Sequence, residues 1–167
     1  QCGSRGLGDV YKRQKKDYPK IFQRCRETFG SFLADFEKKS AFDVTREERE
    51  ARYEELWNEP GFGFWLGTYE DVLTDHKANE TAAEFVRNKI RSRVDDPQVA
   101  EMLCPKGNPF GTKRVPLENG YYEVYNQNNV QLVDLKSTPI EMVTERGLRT
   151  AEQEFEFDIL ILATGFD

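Results

Sequence analysis

The apolar run near the carboxyl end of the chain constrains the fold more than any other segment. The stretch FEFDILILATG, residues 155–165, first alternates apolar and charged residues and then becomes continuously apolar from Ile159 to Ala163. Strands that are apolar on both faces are typical of sheets covered by helices on each side. The run therefore predicts a buried strand, and with it an α/β fold.

The region over residues 15 to about 104 is rich in charges and in helix signals. TREE at residues 45–48 is a capping box, in which the Thr and Glu side chains bond each other's backbone N–H groups, and it predicts a helix through about Asn58. Asp96-Pro97 predicts a short helix with proline at its first position, ending near Cys104. We expect this region to form a helical layer inserted into the α/β fold.

A further helix is predicted to begin at Asn79, which we expect to be its N-cap. Apolar residues follow at helical spacing and define one face of that helix: Ala83, Val86, Ile90 and Val94. His76 stands near a helix end among charged neighbours and is expected at the surface.

The stretch GFGFWLGTYEDVL, residues 61–73, is rich in aromatic residues. Such a cluster could be a ligand platform or a core patch that joins helices. The core patch is favoured, because aromatic side chains bury large areas and pack against one another. The aromatic residues expected in it are Phe62, Phe64, Trp65 and Tyr69.

Downstream of Pro105, residues Pro, Gly and Asn punctuate short runs with strand propensity. NVQLVDL at residues 129–135 predicts a buried strand. IEMVTERGLRT at residues 140–150 predicts a hairpin that turns near Arg146-Gly147.

The amino-terminal stretch contains glycines at the spacing G-x-x-G-x-G, which suggests a phosphate cradle. A cradle needs a strand to aim it and a helix to receive the phosphate, and no strand precedes this one. Residues 4–14 can instead be back-translated, codon for codon, into the adapter used in transposon-based sequencing libraries. We therefore interpret residues 1–14 as an adapter-derived scar, exclude them from fold reasoning, and expect the natural protein to extend beyond both ends of this chain.

The composition argues against several function classes. The net charge of −6 disfavours general binding to nucleic acids or anionic membranes, and no apolar stretch is long enough to cross a membrane. Cys25 and Cys104 stand far apart with a single histidine in the chain, so no metal-ligand spacing exists. Lone thiols of this kind indicate a reducing, cytoplasmic location.

Two places could carry chemistry. PFGTKR, residues 109–114, presents Lys113 and Arg114 side by side, either as a solvated basic pair or as an anion clamp that combines a planar fork with a point charge. Thr164 and Gly165 follow the predicted buried strand, where open α/β sheets bind ligands. An ordinary turn that uses glycine for a positive φ would give the same pattern.

Taken together, these segments resemble a known family. NPFGTKRVPLENGYYEVYNQNNVQLVDLKSTPIEMVTERGLRT followed by DILILATGFD closely resembles the Baeyer–Villiger monooxygenases of the phenylacetone and cyclohexanone monooxygenase type. The helical stretches TREEREARYEELW, LTDHKANETAAEFVRNKI and RVDDPQVAEMLCPK look like the same family. The resemblance covers essentially all of residues 15–167.

The resemblance implies a larger enzyme that carries FAD and uses NADPH and O₂ to convert ketones into esters or lactones through a peroxyflavin. Residues 15–104 would be a helical insertion of a Rossmann-like NADPH-binding domain. Residues 105–167 would be the carboxyl-terminal part of that domain and the start of the return to the FAD domain. Partner domains would be missing at both ends and the FAD site would lie mostly outside this chain, so the fragment alone is expected to be inactive.

The resemblance also assigns roles to individual residues. Arg114 matches the catalytic arginine of the family, which also meets the nicotinamide cofactor. Lys113 matches the lysine beside it, which resembles a ligand of the NADPH 2′-phosphate. Thr164 and Gly165 match the ATG segment that lines the passage between the two dinucleotide sites, and they are further cofactor-binding candidates. No residue matches a metal ligand.

Two other functions stay open. A flavin-containing monooxygenase that oxidises nitrogen or sulfur shares an ATG-type segment but is not expected to show the Thr-Lys-Arg loop. A non-catalytic helical interaction module would leave Lys113 and Arg114 solvated.

Overall fold

The computed structural model describes residues 5–163 and 165, and it combines helices with a small antiparallel sheet. The α-helices are α1 (Arg5–Glu27), α2 (Arg46–Asn58), α3 (Gly63–Leu66), α4 (His76–Arg91) and α5 (Pro97–Leu103). A 3₁₀ helix spans Glu123–Asn126, and the strands are β1 (Ile140–Val143), β2 (Gly147–Thr150) and β3 (Glu154–Glu156). The helical half precedes the sheet, as the sequence predicts.

The sheet has the order β1-β2-β3 with both pairs antiparallel. The predicted hairpin is confirmed, because β1 and β2 are joined by a turn closed by Thr144 N–H donating to the Gly147 carbonyl at 3.0 Å. Gly147 is required where β2 meets β3, since an added Cβ there would overlap the carbonyl of Phe155. The absence of a side chain at this position therefore lets the third strand pair.

The prediction of a buried strand over residues 129–135 is wrong. The segment is not part of any strand in the described chain, and most of its residues are half-buried or exposed. A buried strand needs hydrogen-bonding neighbours and apolar cover on both faces. No other strand of the described residues pairs with this segment.

The carboxyl-terminal run also departs from its prediction. Only Glu154–Glu156 is a strand there, and the continuously apolar part is solvent-exposed. The exposed fractions are 79% for Ile159, 81% for Ile161 and 75% for Leu162. The prediction of burial is wrong for the described chain, because nothing in residues 5–163 and 165 covers these side chains.

The capping box at the start of α2 is confirmed. Thr45 Oγ1 accepts from the Glu48 N–H at 3.2 Å, and Glu48 Oε2 accepts from the Thr45 N–H at 2.9 Å. The hydrogen bond from the Thr45 N–H to the Glu48 carboxylate is the largest cause that lowers the pKa of Glu48, because it favours the ionised form. Helix α5 also begins as predicted, with Asp96 as N-cap and Pro97 in the first turn.

The prediction that Asn79 is an N-cap is wrong. Helix α4 begins at His76, and Asp75 caps it by accepting from the Lys77 and Ala78 N–H groups, both at 2.9 Å. A carboxylate at the cap satisfies the free N–H groups of the first turn and complements the helix dipole. Asn79 is thereby left inside the helix and is buried there, whereas His76 is exposed as expected.

The core is built around Tyr53 of α2, which is 1% exposed. Its ring lies edge-on to those of Phe64, Tyr69 and Phe85, with centroid distances of 5.5, 6.0 and 5.5 Å. The predicted aromatic core patch is confirmed for Phe64 and Tyr69, which are buried in this cluster, whereas Phe62 and Trp65 are half-buried. A second cluster joins the end of α4 to α5 and contains Ile90, Val94, Ala100 and Cys104.

Three further observations concern the described residues as a whole. None of their helices is both long and apolar enough to cross a membrane. Cys25 and Cys104 are free thiols, and burial raises the pKa of Cys104. Within the same part of the chain, no group of three or more His, Cys, Asp or Glu side chains could hold a metal ion.

Candidate functional site

The loop that presents Lys113 and Arg114 begins with a tight turn at Pro109. Thr112 closes the turn by donating its hydroxyl to the Pro109 carbonyl at 2.8 Å. Gly111 has φ of 77°, in the left-handed region, and an added Cβ would lie 2.8 Å from both Leu73 Cδ2 and Trp65 Nε1. Both constraints require glycine at this position, so the turn sets the direction in which the next two residues leave it.

Lys113 and Arg114 are both exposed. Neither side chain makes a hydrogen bond or ion pair with the residues that the structure describes. Arginines of α4 behave differently, since Arg87 and Arg91 each bind two carboxylates. The two adjacent cations are therefore available to an anion from outside the described chain.

Both cations line a groove with a volume of about 820 Å³. Aromatic side chains supply much of its wall: Trp57, Phe62, Phe64, Trp65, Phe110, Tyr121 and Tyr122. Apolar walls with a few converging polar groups are typical of small-molecule and cofactor sites. The predicted cation pair thus lies on a concave surface, where a ligand could contact rings and charges together.

Asn79 of α4 holds the upstream end of the loop. Its amide nitrogen donates to the carbonyls of Val72 and Phe110, both at 2.8 Å, and its amide oxygen accepts from the Phe110 N–H at 2.8 Å. The amide therefore binds both backbone polar groups of Phe110. This contact was not predicted from sequence, because it joins residues that are 31 positions apart.

Arg93, just beyond α4, holds the downstream end. Its guanidinium binds Glu118 and Glu123 at 2.5 Å each and lies 5.1 Å from the centre of the Tyr122 ring. Asn126 reinforces the contact by donating to the Arg93 carbonyl at 2.8 Å. The segment from Phe110 to Glu118, which we name the strap, is thus fixed to the helical layer at both of its ends.

Arg93 changes the pKa of the two carboxylates that it binds, those of Glu118 and Glu123. Hydrogen bonds from its guanidinium are the largest cause that lowers the pKa of Glu118 and of Glu123. A pKa lowered on folding stabilises the folded state above the pKa of the unfolded chain, and this contribution is lost as pH falls through the folded-state value.

We expect the difference in unfolding free energy between the wild type and Arg93→Ala to shrink as pH falls below about 4.5. Urea unfolding at a series of pH values between 7 and 2 measures it. Arg24→Ala is the matched control, because Arg24 is exposed and forms no ion pair with the described residues. An Arg93→Ala effect that is independent of pH would contradict the assignment.

The second predicted site is described only in part. Thr164 lies outside the described residues. Gly165 is exposed, has φ of 82°, and is not among the described residues that line the groove. Of the predicted site residues, the described chain therefore brings together Lys113 and Arg114.

Comparison with known proteins extends these observations. The chain is 48% identical over 157 residues to cyclopentanone 1,2-monooxygenase of Comamonas sp. (strain NCIMB 9872), covering 93% of this chain and 28% of that protein. It is 41% identical over 156 residues to a Baeyer–Villiger monooxygenase of Pseudooceanicola batsensis, covering 92% and 28%. It is also 38% identical over 171 residues to phenazine N-monooxygenase PhzNO1 of Lysobacter antibioticus, covering 99% and 31%.

The fold is similar to solved structures as well. The crystal structure of OTEMO in complex with FAD and NADP matches with a TM-score of 0.89 and 44% identity, over 93% of this chain and 29% of that one. No family model matches the chain. The relatives that the chain matches over nearly all of its length include Baeyer–Villiger monooxygenases, as the resemblance in its sequence indicates, and the chain spans about 28% of the length of the Comamonas and Pseudooceanicola relatives.

Proposed function

We propose that this chain is the part of an FAD-containing, NADPH-dependent Baeyer–Villiger monooxygenase that binds NADPH and supplies the cation at the reacting atoms. The observation that carries the proposal is the adjacent, exposed pair Lys113 and Arg114, without a partner in the described chain, on the wall of the aromatic groove. In this assignment, residues 15–104 are a helical insertion and residues 105–167 the later part of a Rossmann-like NADPH domain that leads back to an FAD domain. The enzyme would be cytoplasmic.

The residues present fit the NADPH cofactor. Its 2′-phosphate is a compact dianion, and a lysine ammonium without a carboxylate partner is a suitable point charge for it. Tryptophan and tyrosine rings along the groove offer faces against which a flat nicotinamide or adenine ring can pack. Lys113 would hold the phosphate, and Thr164 and Gly165 would line the passage toward the flavin.

When bound, FAD supplies the redox and oxygen-transfer chemistry, and the protein orients the reactants and stabilises charge. Arg114 would face the reacting atoms, where negative charge grows on oxygen as the ketone is attacked. A guanidinium keeps its proton at any physiological pH, so its charge is fixed in advance. Preorganised charge of this kind lowers the barrier by about 3 kcal/mol in a water-poor site.

A second candidate activity is oxidation at nitrogen or sulfur. It is favoured by one observation, the 38% identity to phenazine N-monooxygenase PhzNO1. The cofactors and the cation pair would serve the same purpose, and only the acceptor atom would differ. A non-catalytic interaction module would need no nucleotide at all.

A full-length enzyme that carries this segment distinguishes these functions. Loaded with FAD and NADPH under ¹⁸O₂, it should convert cyclopentanone to a lactone that contains one ¹⁸O atom, as mass spectrometry can show. Phenazine N-oxide without lactone would favour the second activity. No NADPH oxidation with either compound would leave the non-catalytic module.

Replacing Lys113 tests the nucleotide assignment. In the same enzyme, Lys113→Ala should raise KM for NADPH and change the kinetics with NADH little, because the lost charge pairs only with the 2′-phosphate. The preference for NADPH should fall by about 1–3 kcal/mol, roughly 5- to 150-fold. Steady-state kinetics with both nucleotides measures this, with Lys136→Ala, an exposed lysine outside the groove, as control. Equal losses with both nucleotides would mean that Lys113 holds the loop and contacts no phosphate.

A further inference from the structure

We infer that Asn79 is a positioning residue, which holds Lys113 and Arg114 in place through the backbone of Phe110. The inference rests on the proposed function of those two cations and adds a residue that does not itself touch the cofactor.

The amide of Asn79 is fully used and shielded from water. Asn79 is 6% exposed. Its oxygen accepts from the Phe110 N–H, and its two N–H groups donate to the carbonyls of Phe110 and Val72, all at 2.8 Å. Because water does not compete at a buried site, each of these bonds would leave an unsatisfied polar group if it were broken. The bonds to Phe110 therefore persist while the helix is folded.

Phe110 itself is part of the packed structure. Its ring lies edge-on to that of Phe64, with centroids 5.3 Å apart, and it packs against the core around Tyr53. Gly111 then turns the chain against Trp65 and Leu73 without room for a side chain. The amide of Asn79 thus fixes the last packed residue before the cations.

The position of Lys113 and Arg114, in the middle of the strap, is set by the two ends at which the strap is fixed. Lys113 and Arg114 make no side-chain hydrogen bonds to the described chain, and the next anchored residue downstream is Glu118, which binds Arg93. An extended chain covers about 3.3–3.6 Å per residue, so release of Phe110 would let Lys113 move by several ångströms. A displacement of about 1 Å is enough to impair a catalytic or binding group.

Only an asparagine meets all three requirements at this position. Aspartate retains an acceptor for the Phe110 N–H, but it has no N–H groups for the two carbonyls and would set a charge against them. Alanine loses all three bonds. Both substitutions should therefore loosen the loop, and aspartate, which has nearly the same size, provides a second variant for the measurement of NADPH preference.

The test is a double-mutant cycle on the NADPH preference of the full-length enzyme. Asn79→Ala should reduce the preference for NADPH over NADH about as far as Lys113→Ala does, roughly 5- to 150-fold. The double variant Asn79→Ala/Lys113→Ala should show no further loss. Asn88→Ala is the matched control, because Asn88 is exposed on the same helix and contacts Arg91 but not the strap, and it should leave the preference unchanged. Additive losses in the double variant, or an unchanged NADPH preference in Asn79→Ala, would overturn the inference.

A second measurement does not depend on the nucleotide preference, so it separates this inference from the proposed function. Hydrogen exchange of the Phe110 amide should be slow in the wild type and at least tenfold faster in Asn79→Ala, which removes the acceptor of that N–H, whatever nucleotide the enzyme prefers. Exchange at the amides of α2 should stay slow in both proteins, because the variant remains folded. If the wild type shows no preference for NADPH, the proposed role of Lys113 fails, and the exchange result still decides whether Asn79 holds the loop. Unchanged exchange at Phe110 in Asn79→Ala would overturn the inference.

Discussion

Arg114→Ala should abolish ester formation by the full-length enzyme while leaving folding and FAD content unchanged. The guanidinium is exposed on the groove wall and makes no contact that supports the described fold, so its removal costs no packing. Its contribution is expected where negative charge develops, which lowers the barrier without tightening substrate binding. The rate of oxygen transfer to the ketone should therefore fall by at least 100-fold, an estimate of order 3 kcal/mol.

Arg114→Lys should restore little of this loss, because an ammonium cannot reproduce the planar, two-pronged donor geometry of a guanidinium. Product by gas chromatography, together with NADPH consumption and flavin absorbance, measures both variants. Arg146→Ala is a suitable control, since Arg146 is an exposed arginine of the β1–β2 turn whose pairing with Glu156, at 3.5 Å, is loose. Ester formation by Arg114→Ala at nearly the wild-type rate would reduce Lys113 and Arg114 to a solvated pair.

Tyr53→Ala should lower the free energy of unfolding by about 4 kcal/mol, the middle of the range for truncation of a buried aromatic side chain. The ring is 1% exposed and lies against three other rings, so truncation would leave a cavity that the surrounding aromatics cannot fill. Urea unfolding followed by tryptophan fluorescence measures the change, since Trp57 packs against the same core.

Tyr53→Phe separates the ring from the hydroxyl. The Tyr53 hydroxyl lies 2.8 Å from Thr81 Oγ1, and Thr81 in turn donates to the Ala78 carbonyl at 2.7 Å. Because Thr81 keeps its second bond, loss of the tyrosine hydroxyl should cost only about 1 kcal/mol. If the two variants were equally destabilised, the hydroxyl would be the main contribution of Tyr53 and the packing explanation would be wrong.

The features that the sequence predicts correctly are those decided within a few residues. The capping box at Thr45, the proline start of α5 and the turn before Gly147 depend on side chains that contact their own backbone neighbourhood. The incorrect N-cap assignment at Asn79 shows that even a local rule can fail, because Asp75, four residues earlier, is an equally good cap. Two competent caps in one stretch leave the start of the helix undecided until tertiary contacts bury one of them.

The features that the sequence does not predict depend on distant partners. Residues 129–135 and 159–163 have the composition of strands, but a strand exists only when another pairs with it, and pairing is not encoded within the segment. The candidate site likewise combines residues that the sequence indicates with contacts that it does not predict. Lys113 and Arg114 are indicated by their resemblance to a family. The anchors at Asn79 and Arg93 join residues 31 and 25 positions apart, and the groove draws on residues from Leu56 to Tyr122.

The two anchors of the strap lie at opposite ends of α4, so the number of residues in this helix fixes the distance between them. Asn79 lies in the first turn of α4 and Arg93 just beyond its last residue, so their separation along the axis is about 21 Å at 1.5 Å per residue. One residue inserted between them would shift one anchor by about 1.5 Å and rotate it by about 100°. The length of this helix therefore sets where the two cations stand, and proteins that place such cations in the same way can vary the residues of α4 far more freely than their number.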